Sequence, residues 1–112
     1  MAADKRADMV ALCKGNLKAV AELKRDTHAD LWTALSTQLD RLYTRDKDTS
    51  GFGLYVVFWF GSKRKGSVPV GPDGHRPTTA LELETVLQST IPDEAKERLQ
   101  VIALDVSDLN ER

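Results

Sequence analysis

Asp8, Glu22 and Lys24 are the residues of this chain whose types and spacing could do chemistry. Two carboxylates and a lysine gathered on a sheet edge offer hard oxygen ligands to a divalent cation and an ammonium to an attacking water. That is the chemistry of phosphodiester hydrolysis. It requires the three side chains to converge, so the elements that carry them decide whether it is possible.

Residues Ala7–Cys13 (ADMVALC) and Leu17–Lys24 (LKAVAELK) read as strands separated by Lys14-Gly15-Asn16. Gly and Asn tolerate the positive φ that a tight reversal needs. A three-residue loop centred on Gly15 or Asn16 sets Asp8 opposite Glu22 or Lys24. Strand side chains alternate between faces, so Asp8, Val10 and Leu12 then share a face with Val20, Glu22 and Lys24. A two-residue turn would shift the register by one and carry Asp8 to the wrong side. The sequence therefore predicts an odd loop or a bulge at this reversal.

Asp8 followed by Glu22-x-Lys24 at the end of the next strand resembles the PD-(D/E)XK superfamily, the restriction-endonuclease-like nucleases. Gln38 and Tyr43, in the QLDRLY stretch of the following helix, are similar to the Gln-x-x-x-Tyr motif of the RecB-like branch, with one residue more between them. The similarity runs from Arg6 to Gly61, about half the chain. It implies an α/β fold with a mixed sheet, an antiparallel hairpin plus parallel strands, flanked by helices. It also implies a metal-dependent nuclease acting on nucleic acid, DNA above RNA, in cytoplasmic DNA defence or repair. Mg²⁺, with Mn²⁺ able to substitute, would be held by Asp8, Glu22 and the Leu23 carbonyl. Lys24 would position the attacking water, Gln38 would brace the site and Tyr43 would touch the phosphate. Two neighbouring carboxylates raise a lysine pKa, so Lys24 is expected to act through its charge and not as a base.

The family core places a helix and a strand before the Asp-bearing strand, and the seven residues preceding Asp8 cannot hold them. The chain, read as one domain over residues 1–112, is thus expected to be an N-terminally truncated piece of a longer protein. A partner subunit in a homo-oligomer is the other source for the missing layer. The alternative reading of the same fold is a non-catalytic nucleic-acid-binding or assembly module. In a third, Asp8, Glu22 and Lys24 form only a surface ion-pair network, which contributes little.

Composition bounds these readings. A chain of 112 residues suits one domain with a modest core. A net charge of −1 excludes a protein that coats nucleic acid through bulk positive charge, though a local basic patch remains compatible with it. One Cys and two His argue against a structural zinc site and a disulfide framework. The longest apolar run, Leu54–Phe60, is too short to span a bilayer, and no membrane partner is expected.

The remaining chain reads as the scaffold. Asp26 or Thr27 can cap a helix running to about Tyr43 or Thr44, with Leu31, Leu35, Leu39 and Leu42 as its apolar stripe and Gln38 lying on that stripe. Phe52–Phe60 (FGLYVVFWF) reads as a strand buried on both faces, with Trp59 in the core, and a strand–helix–strand passage implies a parallel pairing. Gly61–Pro77 is irregular and carries Lys63-Arg64-Lys65. These three, with Arg41 and Arg45, are the candidate nucleic-acid contacts, against a solvated-loop reading. His28 reads as a local cap. Thr78 or Thr79 opens a helix to about Ser89, Asp93–Gln100 a second short helix, and Val101–Val106 a final parallel strand.

Overall fold

The computed structural model of this chain describes the backbone of residues 9–14, 17–38 and 52–108, and side chains at 21–38 and 52–108. Asp8, Arg41, Tyr43 and Arg45 lie outside the described residues. The fold is α/β. One sheet holds β1 (Met9–Lys14), β2 (Leu17–Arg25), β3 (Phe52–Trp59) and β4 (Leu99–Asp105) in that spatial order. β3 pairs in parallel with both β2 and β4, and β1 runs antiparallel to β2.

The pattern FGLYVVFW explains why β3 sits inside the sheet. Its β-branched and aromatic residues suit a pleat covered on both sides, and Tyr55, Val56, Val57 and Trp59 are all buried. On one face, Tyr55, Val57 and Trp59 meet Leu99 and Val101 of β4 and the apolar sides of two helical segments. The first is α1, helical at residues 34–38, which contributes Leu35 beside Leu31 and Ala34. The second is α2 (Ala80–Ser89), which contributes Leu83 and Leu87. As expected, Thr79 caps α2: its hydroxyl accepts the Glu82 amide at 3.0 Å. Glu82 in turn accepts from the amide and hydroxyl of Thr78.

Three expectations are corrected. Lys14 pairs with Leu17, leaving two residues between β1 and β2 where an odd loop was predicted. Met9, not Asp8, consequently stands opposite Glu22, and Ala11 opposite Val20. The predicted helix over the thirties also starts late. Residues 26–33 form turns, because Asp26 is consumed by the following strand and the His28 Nδ1 accepts the Asp30 amide at 3.0 Å. This is the local capping expected of His28. Finally, Asp93–Ala95 is a 3-10 turn and not the start of a helix to Gln100. Leu99 onward belongs to the β3 ladder, and the Gly53 amide reaches back to the Arg98 carbonyl at 2.7 Å.

The free side of β4 has its own protection. Glu84 and Gln88, one turn apart on α2, accept the backbone amides of Ala103 (2.9 Å) and Val101 (3.3 Å). Two donors that would otherwise invite another strand are thereby satisfied within the chain. Replacing Glu84 and Gln88 together by Ala should lower stability by about 2 kcal/mol, near 1 kcal/mol per lost bond. It should also produce concentration-dependent association through the β4 edge. Light scattering across a concentration series checks this, and a monodisperse variant of unchanged melting temperature is the contrary result.

Candidate metal and phosphate site

β2 carries the candidate chemistry. Glu22 and Lys24 are two residues apart on one strand, so they share a face. Their Cα partners on β3 are Tyr55 and Val57, which places both on the covered, core side of the sheet. Both are buried, at 7 % and 9 % exposure. The Lys24 ammonium lies 3.6 Å from Glu22 Oε2. Among the described residues, the second oxygen, Oε1, is buried without a hydrogen-bond partner. A buried carboxylate oxygen with no donor is costly, so this position favours a cation or another donor.

Gln38 reaches the same stretch of sheet from α1. It is 2 % exposed, on the sheet side of α1, and its Nε2 donates to the Leu54 carbonyl at 3.1 Å. Leu54 precedes Tyr55, the β3 partner of Glu22, so Gln38 is tied to the strand beside the carboxylate. The apolar stripe therefore does turn Gln38 inward, as the spacing of Leu31 and Leu35 implies. Leu23 falls between Glu22 and Lys24, with its side chain part-exposed and directed by strand alternation to the opposite face.

Tyr55 belongs to the same environment. Its hydroxyl donates to the Leu31 carbonyl at 2.5 Å. Burial, then the nearby charge of Glu22 and then that of Asp30, push its ionisation well above the ordinary phenol range. Tyr55 is thus held neutral with its only proton committed, a structural role and not an acid–base one. No other sequence signal than its place on β3 marked it.

The basic loop divides into two kinds of residue. Lys63 and Lys65 are exposed. Arg64, expected as a phosphate contact, is instead tied inward to Asp26. Its Nε donates to Asp26 Oδ2 at 2.9 Å, and Nη2 makes a close ionic contact of 2.8 Å with the same oxygen without the alignment of a hydrogen bond. The guanidinium also lies 4.4 Å from the centre of the Trp59 ring. Asp26 is fully buried and additionally accepts the Phe60 amide at 2.9 Å. Sequence reasoning placed Asp26 at a helix start and missed this latch. Asp26 shares strand parity with Glu22 and Lys24, and a basic run follows the next strand; together these were the available signal.

Among the described residues, no three His, Cys, Asp or Glu side chains gather where an ion could be held. Asp8, the expected second acid, is outside them. No family model matches the chain, and neither a curated protein nor a solved structure matches it.

The Tyr55 environment gives a pH-dependent expectation. A phenol whose folded-state pKa is raised contributes stability that is present below the unfolded value, about 10, and is lost as pH rises above it. Tyr55→Phe removes both this dependence and the bond to Leu31. At pH 8 the variant should be less stable by about 1–2 kcal/mol. Its deficit should shrink between pH 10 and 11.5. Urea denaturation at the two ends measures this, and a deficit that stays constant contradicts the assignment.

Proposed function

We propose that this chain is the metal-binding half of a nuclease domain with a restriction-endonuclease-like fold, hydrolysing phosphodiester bonds of nucleic acid, DNA in particular. The observation that carries the reading is the buried Glu22–Lys24 pair under Gln38, with Glu22 Oε1 lacking a donor among the described residues. Among the described residues, Asp26 in its latch with Arg64 also leaves one oxygen without a partner, so what sets Glu22 apart is the ammonium and the amide side chain brought to the same stretch of sheet. The donor set fits a hard divalent cation such as Mg²⁺ or Mn²⁺, which takes oxygen ligands. Glu22 would hold it, with the Leu23 carbonyl adjoining; the Met9–Glu22 register removes the pairing through which Asp8 was expected to join it. When bound, such an ion supplies charge stabilisation at phosphoryl oxygens and lowers the pKa of a water.

The chain's own residues supply the rest. Lys24, anchored beside Glu22 and fixed on a central strand, presents an ammonium at a set position toward the attacking water and the charge building on phosphorus. Oriented charge of this kind acts without reorganisation during the reaction. Gln38 ties α1 to β3 beside the pair by its bond to Leu54. Tyr43 is proposed as a further phosphate contact, with Arg41 and Arg45 near it in sequence.

The register of β1 favours a second reading. Because Met9 is the Cα partner of Glu22, the position opposite the carboxylate where Asp8 was expected is taken by an apolar residue. A module that binds nucleic acid without cutting it would tolerate that loss. Cleavage assays with Mg²⁺ and Mn²⁺ on several nucleic acids distinguish the two. Alanine at Glu22 or Lys24 should lower the cleavage rate by two or more orders of magnitude, in line with loss of one oriented charge. Circular dichroism should show the fold retained. Cleavage that survives both substitutions eliminates the mechanism, and nucleic-acid binding with no cleavage under any metal favours the second reading.

A further inference from the structure

We infer that the carboxyl end of β2 and β3 forms a phosphate-binding rim made by Arg25, Lys63 and Lys65, and that Arg64 is the anchor that presents it. The inference rests on the nuclease reading and assigns a surface at the end of the sheet for the nucleic-acid backbone, with Arg25 on the face of β2 opposite Lys24. It reassigns the basic run: of its three cations, two touch substrate and the middle one does not.

Local conformation sets the division. Arg64 follows the 3-10 turn Gly61–Lys63 in an extended conformation (φ −69°, ψ 151°). It is drawn onto Asp26 and Trp59, whereas Lys63 and Lys65 on either side of it are exposed. The anchor is firm because its partner is fully buried and also holds the Phe60 amide. Gly61 adds a second restraint. Its φ of +64° suits glycine, and a Cβ there would come within 2.9 Å of Ser107 Cβ, so the loop is pressed against the chain leaving β4.

Arg25 joins this group from the strand. It is exposed, directly follows Lys24, and its guanidinium lies 5.9 Å from the centre of the Phe60 ring. Phe60 also receives the Lys63 amide on its carbonyl at 3.2 Å, so Arg25 and Lys63 flank one residue. Arg64 is the cation that compensates Asp26. Among the described residues, Arg25 and Lys65 have no carboxylate within ion-pair distance. A row of cations beginning one residue beyond Lys24 matches a polyanion whose charges repeat every few ångströms.

The test is binding of a labelled DNA duplex to the full chain, by anisotropy, in EDTA, across a salt series. Without divalent metal, binding is read separately from cleavage. For the triple variant Arg25→Gln, Lys63→Gln, Lys65→Gln, the slope of log K against log salt should fall by between two and three, at about 0.9 per lost phosphate contact. Between 50 and 200 mM salt the parent would then lose roughly forty-fold more affinity than the variant. Arg64→Gln should weaken binding with a slope change below one contact, while altering the near-ultraviolet signal of Trp59. An unchanged slope in the triple variant, a full-contact slope change in Arg64→Gln, or binding to anionic vesicles and not to duplex would overturn the inference. A rim-dependent duplex affinity without any cleavage would leave it standing and remove the nuclease reading instead.

Discussion

A carboxylate and an ammonium are held 3.6 Å apart on the covered face of a sheet, and the rest of the architecture answers to that pair. Taking either ion out of water costs several kcal/mol. Their mutual attraction at this separation is about 4 kcal/mol in a medium of intermediate polarity. The attraction offsets only part of the desolvation, so the pair needs further partners to be at rest. Gln38 stands over it, bonded to Leu54 and not to solvent, and Tyr55 keeps its proton beside it. One oxygen of Glu22 is still without a donor among the described residues. The proposed cation would complete it.

The neighbouring elements hold that incompleteness in place. β3 has apolar residues on both faces, and it carries the Cα partners of Glu22 and Lys24 in order. The Asp26 carboxylate extends the β2–β3 connection beyond the last paired residue by accepting from Phe60. The loop after β3 is tied at further points: Trp32 Nε1 donates to the Pro69 carbonyl at 2.9 Å, and Arg76 Nε to that of Val68 at 2.8 Å. Irregular in backbone, this loop is nonetheless restrained, which is what a surface needs if it is to present cations at fixed spacing.

The parts of this fold legible in the sequence are those governed by local rules. The FGLYVVFWF run reads as a strand and β3 lies there, buried on the face of Tyr55, Val57 and Trp59 and half-buried at Phe52, Leu54 and Phe58 on the other. Thr79 and Glu82 name the start of α2 because a cap is decided within four residues. The stripe of Leu31 and Leu35 turns Gln38 inward. Failures occurred where distant partners decide. Lys-Gly-Asn suits a two- or a three-residue reversal equally, and only the β1–β2 ladder selects between them. DEAKERLQ has helical preference throughout, yet β3 claims its last residues. Asp26 fits a helix cap as well as a strand end, and Phe60 and Arg64, some 34 and 38 residues later, decide its use. Arg64 looks like its lysine neighbours in sequence and differs only in having a buried carboxylate to reach.

The central claim is that Glu22 and its neighbours complete themselves with a divalent cation, and paramagnetic broadening by Mn²⁺ reads this most directly. Substoichiometric Mn²⁺ added to isotope-labelled chain should broaden the backbone signals of Glu22, Leu23 and Lys24 and the side-chain amide of Gln38 before any others, with Mg²⁺ restoring them. Broadening confined to exposed acids such as Asp93 and Glu94, with those signals untouched, would contradict the account.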